Sequence, residues 1–218
     1  MADLILGSTT AMTESGGTVT LDNGVQDQIT RLGTVTSGQS QFREESDVVL
    51  LGTNTWSVAA NGWNLDNVIS STYQTYLITG QYKLGDGTGY IQLRFRDSSS
   101  ADIDGSNYTY IHNAFIDSGG GSRGNSAAGQ TQMRLDNDSG NEMWNNVQLK
   151  IFIGRSGQST DQVSWEGTNF QWRDSLNVYW VNTYGGYMTT AIDPRGFKIF
   201  ASGGNINTHS FFSVYGLK

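Results

Sequence analysis

The sequence predicts an all-β protein: an antiparallel β-sandwich preceded by an extended N-terminal arm. Three observations carry this. Glycine supplies 28 of the 218 residues, well above the usual ~7%, while charged residues at 15% fall below the usual ~25%. Such a chain has many turns and a polar but weakly charged surface. Several stretches alternate apolar and polar residues at a period of two, and none shows the 3.6-residue period of an amphipathic helix. The aromatic residues, six Trp, ten Tyr and nine Phe, are unevenly spread: only Phe42 precedes Trp56. One core is expected, and it lies after residue 49.

The first segment, Met1 to Val49, is rich in Thr, Ser, Gly and Gln and lacks the apolar bulk for a core of its own. It reads as an arm with short strand-like pieces at Thr18 to Leu21 and Leu32 to Thr36 and a tight turn at Asp22-Asn23-Gly24. Its apolar residues, Leu4, Ile5, Leu6, Val19, Leu21, Leu32, Val35 and Phe42, are the candidate assembly contacts. Strand addition to a neighbouring sheet would satisfy the backbone groups of such a segment.

The body, residues 50 to 218, begins with alternation at Trp56 to Val58 and a turn at Asn61-Gly62, then a possible helical turn over Leu65 to Ser71 capped by Asp66. Tyr73 to Leu84 reads as a strand. Ile91, Leu93 and Phe95 alternate with Gln92, Arg94 and Arg96, which describes a half-buried strand with a wet outer face. Tyr108 to Ile116 is another strand. Asp117 to Gly129 reads as a long Gly- and Ser-rich loop, a type that is usually functional or mobile. Val147, Leu149, Ile151 and Ile153 alternate with Gln148, Lys150 and Phe152, and the pairs Val163/Trp165, Phe170/Trp172 and Val178/Trp180, with Leu176, suggest further inward rows. The single proline, Pro194, fits a strand start or an edge.

Ile192 to Lys218 reads as a closing hairpin, with Phe197, Ile199 and Ala201 on one arm, Gly203-Gly204-Asn205 at the turn and Phe212 and Val214 on the other. About eight body strands result, without a repeat of ~20–50 residues, and an antiparallel jelly roll fits them best. The pattern GFKIFASGGNI followed by FSVYGLK resembles the C-terminal signature of a β-rich domain of tailed-phage virion proteins, especially those of cyanophages and other marine phages. Ile69 to Leu84, Tyr90 to Asp97 and Trp144 to Gly157 resemble that domain's earlier strands, in the same order. The resemblance spans roughly Leu50 to Lys218. It implies a jelly-roll-like fold and a place in a phage particle, and it carries over no functional residues.

Composition narrows the function classes. A formal charge of −7 with no cluster of Lys or Arg argues against nucleic acid as partner. Cysteine is absent, which removes thiol chemistry and Cys-based zinc sites. Neither a signal sequence nor a membrane-inserting segment is expected, and no cofactor is implied. Nucleophile elbows, P-loops and HExxH sequences are missing, and His112 and His209 are read as structural. Asp97, Asp102, Asp104, Asp161, Glu166 and Asp174 lie near loops, but carboxylates become a glycosidase pair only at about 5–10 Å across a cleft. Asp136, Asp138 and Asn141 resemble a calcium loop without its full ligand set and read as a hydrogen-bonded turn. Trp63, Tyr184 and Tyr187, near Gly-rich turns, are the candidate ligand-facing aromatics.

The expected function is therefore that of a non-enzymatic phage virion protein, made in the host cytoplasm and placed on the particle's outer surface. The first expectation is a head decoration or cement protein, a homotrimer bound to the major capsid protein. The alternative is a tail-fibre or adhesin subunit that binds host surface glycans, and the remote one a tail-associated glycanase.

Overall fold

The structure, a computed structural model, describes residues 3–6, 9–15, 18–21, 47–85, 88–116, 121–136, 139–140, 143–154, 162–173 and 178–218. The described residues form strands, turns and loops, all strand pairs are antiparallel, and none of these residues is helical. The chain divides into two compact units, Met1–Ser46 and Asp47–Lys218.

The first unit carries a three-stranded meander of β1 (Asp3–Leu6), β2 (Thr9–Ser15) and β3 (Thr18–Leu21), with a register shift between Leu4 and Ile5. Leu4, Ile5, Leu6, Val19 and Leu21 lie on these strands. Leu32, Val35, Phe42 and the Asp22-Asn23-Gly24 turn lie outside the described residues.

The second unit contains β4 (Val48–Thr55), β5 (Gly62–Leu65), β6 (Thr75–Tyr82), β7 (Thr88–Gly89), β8 (Ile91–Arg96), β9 (Tyr108–Ile116) and β10 (Gly121–Gln130). It continues with β11 (Met133–Arg134), β12 (Ser139–Gly140), β13 (Met143–Gly154), β14 (Gln162–Arg173), β15 (Val178–Met188), β16 (Gly196–Ala201) and β17 (Phe211–Leu217). An eight-stranded sheet runs β10-β9-β15-β14-β13-β6-β17-β4, a four-stranded sheet runs β11-β8-β16-β5, and β12 pairs with β7. Val48 and Val49, at the end of the segment read as an arm, belong to β4.

Period-two alternation explains why these segments are strands and which face they bury. On β6, Tyr76, Ile78, Gly80 and Tyr82 are buried and the alternate residues are not. Leu149 and Ile151 of β13 and Phe212 and Val214 of β17 continue that face, while Leu93 and Phe95 of β8 and Phe197 and Ile199 of β16 come from the smaller sheet. Rings interlock across the core: Phe197 lies 5.7 Å from Tyr76 and 5.9 Å from Phe95, and Tyr82 stacks on Phe212 at 5.7 Å. Each fully buried aromatic of this kind contributes about 1.5–3 kcal/mol of apolar transfer.

Four expectations are corrected. The closing segment is not a hairpin: β16 pairs with β5 and β8 in the smaller sheet, whereas β17 pairs with β4 and β6 in the larger. The chain crosses between layers over residues 202–210, where Gly204 takes φ 67° and His209 φ 68°. Leu65 to Ser71 forms no helical turn, because Leu65 ends β5 and Asp66 is drawn into an ion pair with Arg96. The described part of the expected Gly-rich loop is strand β10, since pairing with β9 from Gly121↔Ile116 onward supplies ladder bonds whatever the side chains. Finally, Phe170 faces solvent at 49% exposure while Asn169 and Gln171 are buried, so the rows of β14 point opposite to the expected direction beyond Trp165.

Candidate functional site

Antiparallel pairing aligns the outward residues of β13, β14, β15 and β9 into rows across the larger sheet. One row reads Lys150, Glu166, Gly185, Ile111; the next reads Gln148, Thr168, Thr183, Asn113. Apolar residues flank both. On one side stands Phe152, Ser164, Tyr187, Thr109, and on the other Asn146, Phe170, Val181, Phe115. The polar rows form the floor of an open trough of about 640 Å³, with Tyr187 and Ile111 among its walls. That volume lies within the range of small-ligand sites, and the mix of a few polar groups with apolar walls is their usual lining.

Three glycines shape the floor. Gly185 faces outward, so the sheet is bare backbone between Glu166 and Ile111. Gly167 and Gly186 face inward, where side chains cannot fit. A Cβ on Gly167 would stand 2.5 Å from the Tyr184 ring, and one on Gly186 would stand 2.2 Å from the Thr109 carbonyl oxygen and 2.5 Å from the Trp165 ring. The two aromatic rings therefore lie directly under the floor and support it.

Among the described residues the trough holds one cation and one anion. Lys150 Nζ and Glu166 Oε1 are 3.9 Å apart, with side chains 48% and 63% exposed. Such a pair contributes little to stability and leaves both charges open to a ligand.

Beneath this region the interior turns polar. Asn145 opposes Gln171, and Asn169 opposes Asn182, all four buried. Tyr82 donates to Asp136 Oδ2 at 2.6 Å, Ile91 N donates to the same oxygen at 3.0 Å, and Asn169 Nδ2 donates to the Tyr82 hydroxyl at 2.9 Å. Among the described residues the side-chain amides of Gln171 and Asn182 are buried without a hydrogen-bond partner, a cost of about 1–3 kcal/mol per group. His112 stacks on Tyr184 at 5.4 Å. Burial, and then the charge of Arg134, lower its pKa from 6.5 to about 4, against an opposing interaction with the Arg134 backbone. His112 is therefore neutral at pH 7.

Of the aromatics singled out by the sequence, Tyr187 borders the trough at 52% exposure. Tyr184 is buried on the inner face below it, its hydroxyl 3.5 Å from the Gln148 carbonyl oxygen. Trp63 is on β5 of the other sheet, packed against the core. The structure thus does not gather the three. Gln148, Lys150, Thr168, Thr183 and Asn113 were not singled out; the alternation around Val147 to Ile153 already puts Gln148 and Lys150 on an outward face, but which strands lie beside them is not a local property.

The other carboxylates have structural duties. Asp102 receives Arg94 Nη1 at 3.3 Å, Arg96 Nη1 at 2.6 Å and Lys198 Nζ at 2.7 Å. Burial pushes its carboxyl up, but the hydrogen bond and charge of Lys198, followed by Arg94 and Arg96, outweigh burial and hold it low. This network half-buries the outer face of β8, where Arg96 is only 8% exposed. Asp97 closes its own loop by accepting from Ser99 and Ala101, while Asp104 is exposed. Asp136 is buried rather than turned to a calcium-type loop; Asp138, Asn141, Asp161 and Asp174 lie outside the described residues. His209 is exposed at the crossing, its N–H donating to the Trp56 carbonyl. Among the described residues no group of three or more His, Cys, Asp or Glu could hold a metal ion.

Comparison with protein-family models, with curated proteins and with solved structures finds no match to this chain.

Proposed function

We propose that this chain is a non-enzymatic surface protein of a phage virion, an adhesin-type subunit whose body binds a saccharide in the trough of its larger sheet. The observation that carries the reading is the trough itself: a floor of Gln148, Lys150, Glu166, Thr168, Thr183 and Asn113 beside the exposed ring of Tyr187. Sugars present hydroxyls around the ring edge and C–H groups on its faces. Amides, hydroxyls and charges match the first, and an aromatic face matches the second.

Connectivity supports a jelly roll as the framework. With β4, β5, β6, β8, β11, β13, β16 and β17 numbered first to eighth in chain order, part of the larger sheet runs 1-8-3-6 and the smaller sheet runs 2-7-4-5. That is the order produced when a long antiparallel ribbon wraps into two Greek keys. The remaining long strands are two inserted pairs, β9–β10 and β14–β15, and both extend the larger sheet beyond β13. The trough is built almost wholly on these additions, as expected when a binding site is grafted on a common scaffold.

The test is binding of purified protein to host cells and to isolated host surface polysaccharide, with and without Tyr187→Ala. Saturable binding that the substitution abolishes is expected; wild-type protein that binds neither would sink the reading.

A second reading, a head decoration protein that binds the capsid as a homotrimer, is favoured by one observation: Met1–Ser46 is a compact unit separate from the body, with a sheet of its own. Here that unit is an arm laid over neighbouring capsid subunits. Copy number per virion separates the two, since hundreds of copies fit the head lattice and a few to a few tens fit the tail. Under the capsid reading, deletion of Met1–Ser46 leaves a folded body that no longer occupies heads, and full occupancy would refute it.

A further inference from the structure

We propose that the Lys150–Glu166 pair is the specificity element of the trough, selecting an uncharged sugar through adjacent hydroxyls and rejecting an acidic one. The inference rests on the saccharide reading above. The two residues are direct cross-strand neighbours, so their side chains rise side by side from the middle of the floor. Their 3.9 Å separation is the outer limit of an ion pair, and neither charge is committed by burial.

An ammonium only donates and a carboxylate only accepts, whereas each hydroxyl of a sugar does both. Two adjacent hydroxyls can therefore accept from Lys150 and donate to Glu166 together. Gly185, next in the row after Glu166, has no side chain and lets a ring settle beside the carboxylate against Ile111 and Tyr187. Gln148, Thr168, Thr183 and Asn113 in the neighbouring row serve the remaining hydroxyls.

Charge sets the discrimination. Among the described residues lining the trough Lys150 is the one cation and Glu166 the one anion, and the chain's formal charge is −7. A sugar carboxylate drawn to Lys150 would lie against Glu166, and like charges at that spacing repel.

The experiment measures affinity of the full chain for matched neutral and uronate-containing oligosaccharides of the host surface at about 0.15 M salt, where only close charges are felt. Lys150→Met, Glu166→Gln and Tyr187→Ala are compared with wild type. Wild type is expected to prefer the neutral series, and Lys150→Met and Glu166→Gln each to weaken it about tenfold or more, the value of a hydrogen bond to a charged group. Glu166→Gln, which leaves Lys150 unopposed, is expected to gain affinity for the acidic series. Unchanged thermal midpoints, expected for so exposed a pair, show that binding and not folding has changed. If both charge variants keep wild-type affinity and preference while Tyr187→Ala loses binding, the pair is not the specificity element and the saccharide reading survives. Wild-type preference for the acidic series also overturns the proposal. Wild type that binds no saccharide overturns the reading beneath it.

Discussion

His112 makes the fold sensitive to acid in a window that can be calculated. Its ring is 1% exposed and stacked on Tyr184, and its pKa falls from 6.5 to about 4 on folding. The unfolded chain thus binds a proton that the folded chain refuses. Stability is intact above pH 6.5 and falls as pH drops towards 4. At about 1.4 kcal/mol per pH unit the full penalty is about 3 kcal/mol, most of which is felt by pH 4.5. The assay is urea unfolding followed by tryptophan fluorescence from pH 7.5 to 4.5 at constant ionic strength, for wild type and His112→Phe. Phenylalanine keeps the stack on Tyr184 and takes up no proton, and the variant is expected to match wild type at pH 7 to within about 1.5 kcal/mol, the net worth of one hydrogen bond. Towards acid the wild type should lose about 2–3 kcal/mol relative to the variant, or roughly 5–10 °C in thermal midpoint. Parallel stability curves for the two proteins across that window would refute the reasoning.

Other perturbations separate the floor from what supports it. Gly186→Ala, whose Cβ would stand 2.2 Å from a backbone oxygen that cannot move aside, should cost about 2–3 kcal/mol, seen in the urea midpoint. Tyr184→Ala should cost about 3–5 kcal/mol because the ring is buried. Tyr187→Ala should leave stability within about 0.5 kcal/mol and remove saccharide binding. Asp102→Asn should cost about 1.5–3 kcal/mol at pH 7 by weakening the contacts of Arg94, Arg96 and Lys198. The wild-type carboxyl is held below its ordinary 3.8, so its contribution is present above that pH and disappears below it; the two proteins should converge in acid unfolding curves.

Much of the sandwich is legible locally. Ile91, Leu93 and Phe95, and Val147, Leu149 and Ile151, announce their strands and inner faces by alternation, and all six are buried. The partner of a strand is not legible in this way. Phe197 to Ala201 and Phe212 to Val214 alternate identically whether they pair with each other or with strands far away in sequence, because either arrangement buries the same residues. The expected jelly roll and the expected hairpin were in conflict, since the last connection of a jelly roll crosses between sheets. On β14 the apolar residues change parity between Trp165 and Phe170, which reads as a break between two strands. The strand instead runs straight through Gly167 in unbroken register with β13, burying Asn169 and Gln171 and leaving Phe170 outside. The trough was hidden for the same reason: Lys150 and Glu166 meet only through that register.

The place of β17 bears on how the protein is made. The strand is inserted between β6 and β4, and it is the one neighbour of β4 among the described strands. Thr53 bonds the Phe212 carbonyl across 159 residues of sequence. On a ribosome moving at about 5–20 residues per second, β4 emerges roughly 8–30 s before its partner exists. Throughout that interval an uncharged stretch, VVLLGTNT, waits with its backbone unpaired. The yield of folded protein should therefore depend on holding nascent chains apart, with crowding and temperature during synthesis deciding how many reach the closed sheet.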